Sequence, residues 1–249
     1  MNLEEYHKMH ALERNYWWFQ GRLKVILTVL KQYARTRSGE KPVILDIGCG
    51  TGLLLEHLAQ MGKATGLDFS PVALEYCRSH DLKSLGRADV RHLPVKDASV
   101  DVITAIDLVE HIKDDVGLMA EFQRVLKPGG VAVLSVPAHK QMWSNHDVAL
   151  HHFRRYEKQE FLELVQRAGL RPKKFTYSMA TAYVPARIFR SVKKFLSSEG
   201  SEPRTDEFQI PRLLNFVLKN FVELEARWLP HGNLPLGLSL LCVAEKPAA

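Results

Sequence analysis

Short apolar runs alternate with stretches of helical spacing through the middle of this chain, and the alternation predicts strands near 43–47, 64–68, 84–88, 101–106 and 131–136. Two more follow near 173–178 and 237–244. Strand and helix in repeated order point to an α/β fold, a largely parallel sheet with helices on both faces. Residues from Asn2 to about Arg37 read as two helices that stop at the loop signal Ser38-Gly39-Glu40-Lys41-Pro42. Lys127-Pro128-Gly129-Gly130 reads as the turn feeding the fifth strand. Two segments, 138–158 and 180–235, exceed what a sheet needs, and the second is far longer than a hairpin connection. It should hold one helix from Pro185 to about Ser197 and another from Pro211 to about Trp228, each with proline near its first turn, joined by a mobile loop at Ser197–Arg204. The length suits one domain over 1–249, divided into a helical lid at 1–37, a core at 40–178 and 236–246, and a helical insertion at 180–235.

One turn in this frame carries the chemistry. Val43-Ile44-Leu45-Asp46-Ile47-Gly48-Cys49-Gly50-Thr51-Gly52 is a strand ending in alternate glycines, and Leu53–Leu58 continues it as a helix. That unit brings backbone N–H groups up to a nucleotide-like ligand. Glycine is needed because a Cβ would block close approach and the positive φ angles of the turn. Gly48, Gly50 and Gly52 form G-x-G-x-G, and Leu53 occupies the place where a dinucleotide fingerprint needs its third glycine. Asp46 just before the loop would face a cation and repel a pyrophosphate. The ligand implied is cationic and carries no phosphate.

Asp46-Ile47-Gly48-Cys49-Gly50-Thr51-Gly52 resembles the first motif of the class I S-adenosylmethionine-dependent methyltransferases at every position. The resemblance implies a Rossmann-like, seven-stranded, mostly parallel sheet whose last strand, Leu238–Ala244, is antiparallel, and S-adenosylmethionine as the cofactor. It implies that Asp46, Gly48, Cys49, Gly50 and Gly52 hold the methionine part. Asp68, 22 residues after Asp46 and followed by Phe69 and Ser70, would take the ribose hydroxyls, a role for an acceptor-only carboxylate. Ala88, Asp89 and Val90 would meet the adenine, with Ile106 and Asp107 completing the wall. Taken alone, Asp68 or Asp89 reads equally well as a solvated turn acid. Tyr16-Trp17-Trp18-Phe19-Gln20-Gly21-Arg22 resembles the opening of one subgroup whose N-terminal helix lids the cofactor. There Trp18 would shield the methyl group from water and Arg22 would pair with the cofactor carboxylate. Plain docking of this helix on the sheet is the alternative.

Asp107-Leu108-Val109-Glu110-His111 follows the fourth strand, and Glu110-His111-Ile112 is similar to the E-H-[VI] of ubiquinone-biosynthesis-type O-methyltransferases. A histidine there can take the proton of an acceptor hydroxyl or can fix the loop. After the fifth strand, His146, Asp147, His151 and His152 read either as a carboxylate-oriented base or as a surface helix whose histidines pair locally. Arg154 and Arg155 could grip an acceptor carboxylate or phosphate. No metal is expected, because the catechol type of metal-assisted methylation uses several carboxylates and this cluster has one. The candidate catalytic residues are therefore His111, His146 and His151, acting on a small-molecule hydroxyl. The amino-directed Asn/Asp-Pro-Pro-Tyr/Phe signature is absent.

Charge bears on the acceptor. Residues 42–138 carry nine basic and thirteen acidic side chains, net −4, whereas the flanking parts sum to +10. This asymmetry leaves an anionic or lipid-linked acceptor open, or a surface that merely solubilises the fold. Val184, Ile188, Val192, Phe195 and Leu196 oppose Arg187, Arg190, Lys193 and Lys194, a pattern of helices that lie on anionic membranes and also of core-facing ones. Three unevenly spaced cysteines and the absence of a leader-like or spanning run suit a cytoplasmic protein. An RNA methyltransferase is a rival suggested by the pI near 9.2, though no RNA-binding module is readable. A non-catalytic cofactor-binding partner protein is the other.

Overall fold

The computed structural model describes residues 3–34, 39–196 and 210–248. Phe189 and 191–196 are described by backbone alone, and the loop expected at 197–204 lies outside the described residues. Helices α1 (Leu3–Leu12) and α2 (Trp17–Tyr33) lead into β1 (Val43–Ile47), α3 (Leu53–Met61), β2 (Lys63–Asp68), α4 (Pro71–Ser79) and β3 (Leu85–Arg87). There follow β4 (Val100–Ile106), α5 (Asp115–Val125), β5 (Leu126–Pro137), α6 (Asn145–Ala149), α7 (Lys158–Arg167) and β6 (Arg171–Ser178). Helices α8 (Ala180–Leu196) and α9 (Arg212–Trp228) precede the last strand, β7 (Ser239–Glu245).

The seven strands form one sheet in the order β3-β2-β1-β4-β5-β7-β6. Strands β1 to β5 are parallel, and β7 runs antiparallel between β5 and β6. The order reverses between β1 and β4, and open α/β sheets hold ligands beyond the carboxyl ends of the strands at such a switch. Apolar residues cover both faces because both carry helices. Leu45, Ile47, Ile103, Ala105 and Leu134 enter one core cluster, while Ile44, Val102, Val131 and Val133 enter the other.

Two expectations need correction. Lys127–Gly130 is not a turn ahead of the fifth strand but a bulge inside it. Val100 pairs with Leu126 and Val102 with Val131, and Gly129 donates to the Lys246 carbonyl at 2.8 Å. Helix α8 starts at Ala180, so Pro185 stands inside it rather than at its first turn. The earlier start is possible because the Glu225 carboxylate of α9 accepts from the free N–H groups of Ala180 and Thr181, at 2.9 and 3.4 Å.

Helix α9 also anchors the N-terminal helices. The Asn215 carboxamide oxygen accepts from Trp17 N, at the start of α2, at 2.9 Å, and its amide donates to the Asn15 carbonyl at 3.0 Å. Contact with α2 is close enough that a Cβ on Gly21 would lie 2.7 Å from Val222 Cγ1. Gly21→Leu should therefore push α9 from α2 and lower stability by about 1–3 kcal/mol, the usual cost of overpacking. Chemical denaturation checks this, and a midpoint equal to the parent's would show that the contact yields freely.

Candidate functional site

The glycine turn does what its composition requires. Gly48, Gly50 and Gly52 have φ of 72°, 55° and 96°, all left-handed, and Gly48 N and Cys49 N donate to the Leu67 carbonyl at 2.8 and 3.1 Å. The turn opens on a cavity of about 770 Å³ at the carboxyl ends of β1, β2 and β4. Asp46 is buried beneath it. One oxygen accepts from Thr104 Oγ1 at 2.6 Å, the other has no partner, and burial pushes the carboxyl up to about 7. Asp68 spans the loop, accepting from Gly50 N at 3.0 Å and Ser70 N at 2.8 Å, and burial raises its pKa as well. Asp89 stands at the outer edge, held down to about 2 by the Arg91 guanidinium.

Trp18, Arg22, Asp46, Gly48, Cys49, Gly50, Asp68, Phe69, Ser70, Asp89, Val90, Ile106 and Asp107 share this one wall with His111 and His146. Three expected members stand off it. Gly52 is the N-cap of α3, closed in by Leu82 and Cys77. Ala88 is spent on the core beside Leu67, and its N–H goes to the Asp68 carbonyl at 3.2 Å. His151 is exposed in a left-handed turn, φ 59°, and the neighbouring His152 occupies the interior instead.

The cavity takes in more of the N-terminal segment than the aromatic run suggested. Tyr6, Met9 and Glu13 of the α1 stretch line the cavity, and Thr51 of the glycine turn donates its hydroxyl to the Glu13 carboxylate, which is buried. Their i, i+3, i+7 spacing was the available signal. Arg22 donates to Asp107, itself held in a left-handed conformation (φ 51°) with Ser135 Oγ at 3.0 Å. A non-glycine residue in that region at the end of a strand stores strain where ligands bind.

Beyond Asp107 a second buried network forms. Asp147 accepts from His152 Nδ1 at 3.0 Å, Arg155 Nε at 2.7 Å and Ser144 N at 2.9 Å. Burial opposes its charge, but the His152 hydrogen bond and Arg155 hold it well below the usual carboxylate range. His111 meets His152 edge to face at 4.6 Å, and burial, with His152 second, lowers His111 to about 3. Glu110 is fully buried, neither oxygen has a hydrogen-bond partner, and His152 Nε2 lies 3.9 Å away. Glu110, His111 and His152 thus gather donors within 4.8 Å of one another. Arg154, expected near an acceptor, turns away to Asp115 at 2.6 Å. Arg155 reaches the cavity, as does Arg190 of α8, which sequence reasoning had placed only on a polar helix face.

Residues 45–134 match the family described as Methyltransferase domain. A ubiquinone biosynthesis O-methyltransferase of Pasteurella multocida is 30% identical over 155 residues, 53% of this chain and 63% of that protein. A Mycolicibacterium smegmatis protein named a probable S-adenosylmethionine-dependent methyltransferase is 31% identical over 165 residues, 63% of this chain and 60% of that protein. Residues 45–134 are thus similar to methyltransferase domains. The chain spans less than two thirds of the length of these two relatives. Haemonchus contortus phosphoethanolamine N-methyltransferase 2 in complex with S-adenosyl-L-methionine aligns with a TM-score of 0.59 at 19% identity, over 89% of this chain and 52% of that one. The cyclase SpnF aligns at 0.60 and 18%, over 93% and 83%. At these identities the likeness shows the fold alone.

The cavity would fit the charges of S-adenosylmethionine. The bare buried oxygen of Asp46 suits an ammonium, which would restore its ordinary pKa, and Asp68 has lone pairs left for hydroxyls. In the same domain Glu110 is a burden. Burial first, then the charge of Asp107, raises its pKa well above 4.5. The folded state therefore binds that proton more tightly than the unfolded chain, so stability falls as pH rises from about 4.5 through the folded pKa. Glu110→Gln should raise the melting temperature at pH ~7.5 by a few degrees, about 1 kcal/mol or more, with the gain shrinking toward pH ~4.5. Differential scanning calorimetry at both values tests this; a loss at the higher pH would mean the charge is compensated.

Proposed function

We propose that this protein is a methyltransferase that moves the methyl group of S-adenosylmethionine to an oxygen of a small anionic acceptor. The observation that carries the reading is one shared cavity. Asp46 and Asp68, beside the glycine turn, line it together with His111, His146, Arg155 and Arg190. Bound there, the cofactor supplies a methyl group activated by its sulfonium charge. The chain's own part is alignment and exclusion of water by Trp18, Tyr6 and Met9 of the lid. Arg155, buried, and Arg190 favour a carboxylate or phosphate on the acceptor.

Burial lowers His111 to about 3, so it is neutral at any physiological pH and can accept a hydrogen bond, but it is a weak base toward a hydroxyl. His111 therefore positions the acceptor, and His146, the other histidine on this wall, is the candidate base. No step is given to a metal: of Glu110, His111 and His152, only His111 lines the cavity. Turnover unchanged in excess EDTA is expected.

Millimolar S-adenosylhomocysteine should raise the melting temperature and NAD should leave it flat. Asp68→Ala should weaken that binding by about 1–3 kcal/mol, the scale for hydrogen bonds to a charged acceptor. A dissociation constant equal to the parent's would remove Asp68 from the ribose role. With an acceptor found by a labelled-cofactor screen of metabolites, His146→Ala should lower kcat by roughly 10²–10⁴ with S-adenosylhomocysteine binding intact. His111→Ala should raise the acceptor KM more than it lowers kcat. If both variants keep normal kcat, the acceptor is already ionised or is a nitrogen.

A further inference from the structure

Helix α9 is apolar on two opposite sides. Val222 and Ala226 face the core with the capping Glu225, and Asn215 reaches α2. On the far side, at the spacing of a single helical face, stand Leu213, Val217, Phe221, Leu224 and Trp228, with Phe216 beside them. Five of these six are more than half exposed, Leu213 at 75%. Helix α8, which contacts α9, exposes Val184 and Ile188 one turn apart. Side chains of this size at these exposures come to several hundred Å² of apolar surface, at or beyond the largest patch of an ordinary monomer.

The rim selects the occupant. Arg187 of α8 is exposed, α8 has no acid over its length, and α9 carries Arg212, Lys219 and Arg227 against Glu223 and the core-facing Glu225. A second copy meeting this face across a two-fold axis would bring like charges together. Anionic headgroups complement them, and Phe, Leu and Trp suit the boundary between headgroup and acyl chain. We propose that the α8–α9 insertion docks on an anionic membrane surface, with the outer face of α9 at the acyl boundary. Among the described residues no helix is long and apolar enough to cross a membrane, so the contact is peripheral. This docking does not depend on the reaction proposed above. If that reaction holds, Arg190, which lines the cavity from α8, places the acceptor end beside the lipid, where an acceptor with an apolar tail could enter.

Co-sedimentation of the full chain with vesicles of phosphatidylglycerol and phosphatidylcholine, against phosphatidylcholine alone, tests the proposal. The protein should pellet with the anionic vesicles, less with the neutral ones, and less again in high salt. The triple variant Phe216→Gln, Phe221→Gln, Leu224→Gln keeps good helix formers and should lower the partition by about tenfold or more with circular dichroism unchanged. Should the triple variant not fold, Leu213→Gln and Phe216→Gln singly carry the same comparison at the start of the helix. Equal partition of a folded variant, or a parent protein that stays in the supernatant, overturns the proposal. A concentration-dependent dimer that the variant converts to monomer also overturns it and assigns the face to a second copy.

Discussion

Everything in this molecule's site depends on three left-handed glycines at the carboxyl end of β1. With φ of 72°, 55° and 96°, the turn folds back tightly enough for Gly48 N and Cys49 N to reach the Leu67 carbonyl and for Gly50 N to reach Asp68. That closure joins the ends of β1 and β2, sets Asp46 and Asp68 into one wall, and opens the cavity at the switch between β1 and β4. A Cβ at any of the three would force a strained backbone at the point where the whole site is assembled.

Around that turn the protein leaves carboxylates undercompensated. Asp46 and Glu110 each keep bare buried oxygens, and Asp68 holds only backbone N–H groups. Buried carboxylates are ordinarily paired or hydrogen-bonded because an uncompensated one costs several kcal/mol. The one at Asp46 makes sense as a receptor for a cation. The same reasoning explains the contrast with Asp147, where His152, Arg155 and Ser144 satisfy the carboxylate in full and leave it a framework group. Structural and receptive carboxylates are thus told apart by their partners rather than by their burial.

The N-terminal helices and α8 are tied together through α9. Asn215 holds the start of α2, Glu225 holds the start of α8, and Glu13 ties the α1 stretch to Thr51 of the glycine turn. Each tie satisfies a helix terminus or a buried polar group that would otherwise be unpaired. The consequence is that Trp18, Arg22 and Arg190 reach one cavity from elements far apart in the chain.

The sequence by itself determined the sheet and the glycine-turn wall. Strand positions follow from short apolar runs, the turn from glycine spacing, and Asp46 and Asp68 from their places at strand ends, all local properties of the chain. Its limits were positional. Pro185 suggested a helix start, but the cap from Glu225 comes from 45 residues away and moved the start to Ala180. Which histidine turns inward, His152 rather than His151, rests on a left-handed turn at His151 and on Asp147 beneath it, neither of which a pair of adjacent histidines encodes. Gly52 and Ala88 belong to the motif's register, yet packing against Cys77 and Leu67 draws them off the wall. The pairing of Arg22 with Asp107, the place of Arg190 in the cavity and the outward apolar face of α9 were decided only by tertiary structure. Each depends on how a helix is rotated against its neighbour, and that rotation is set by contacts between residues distant in the chain.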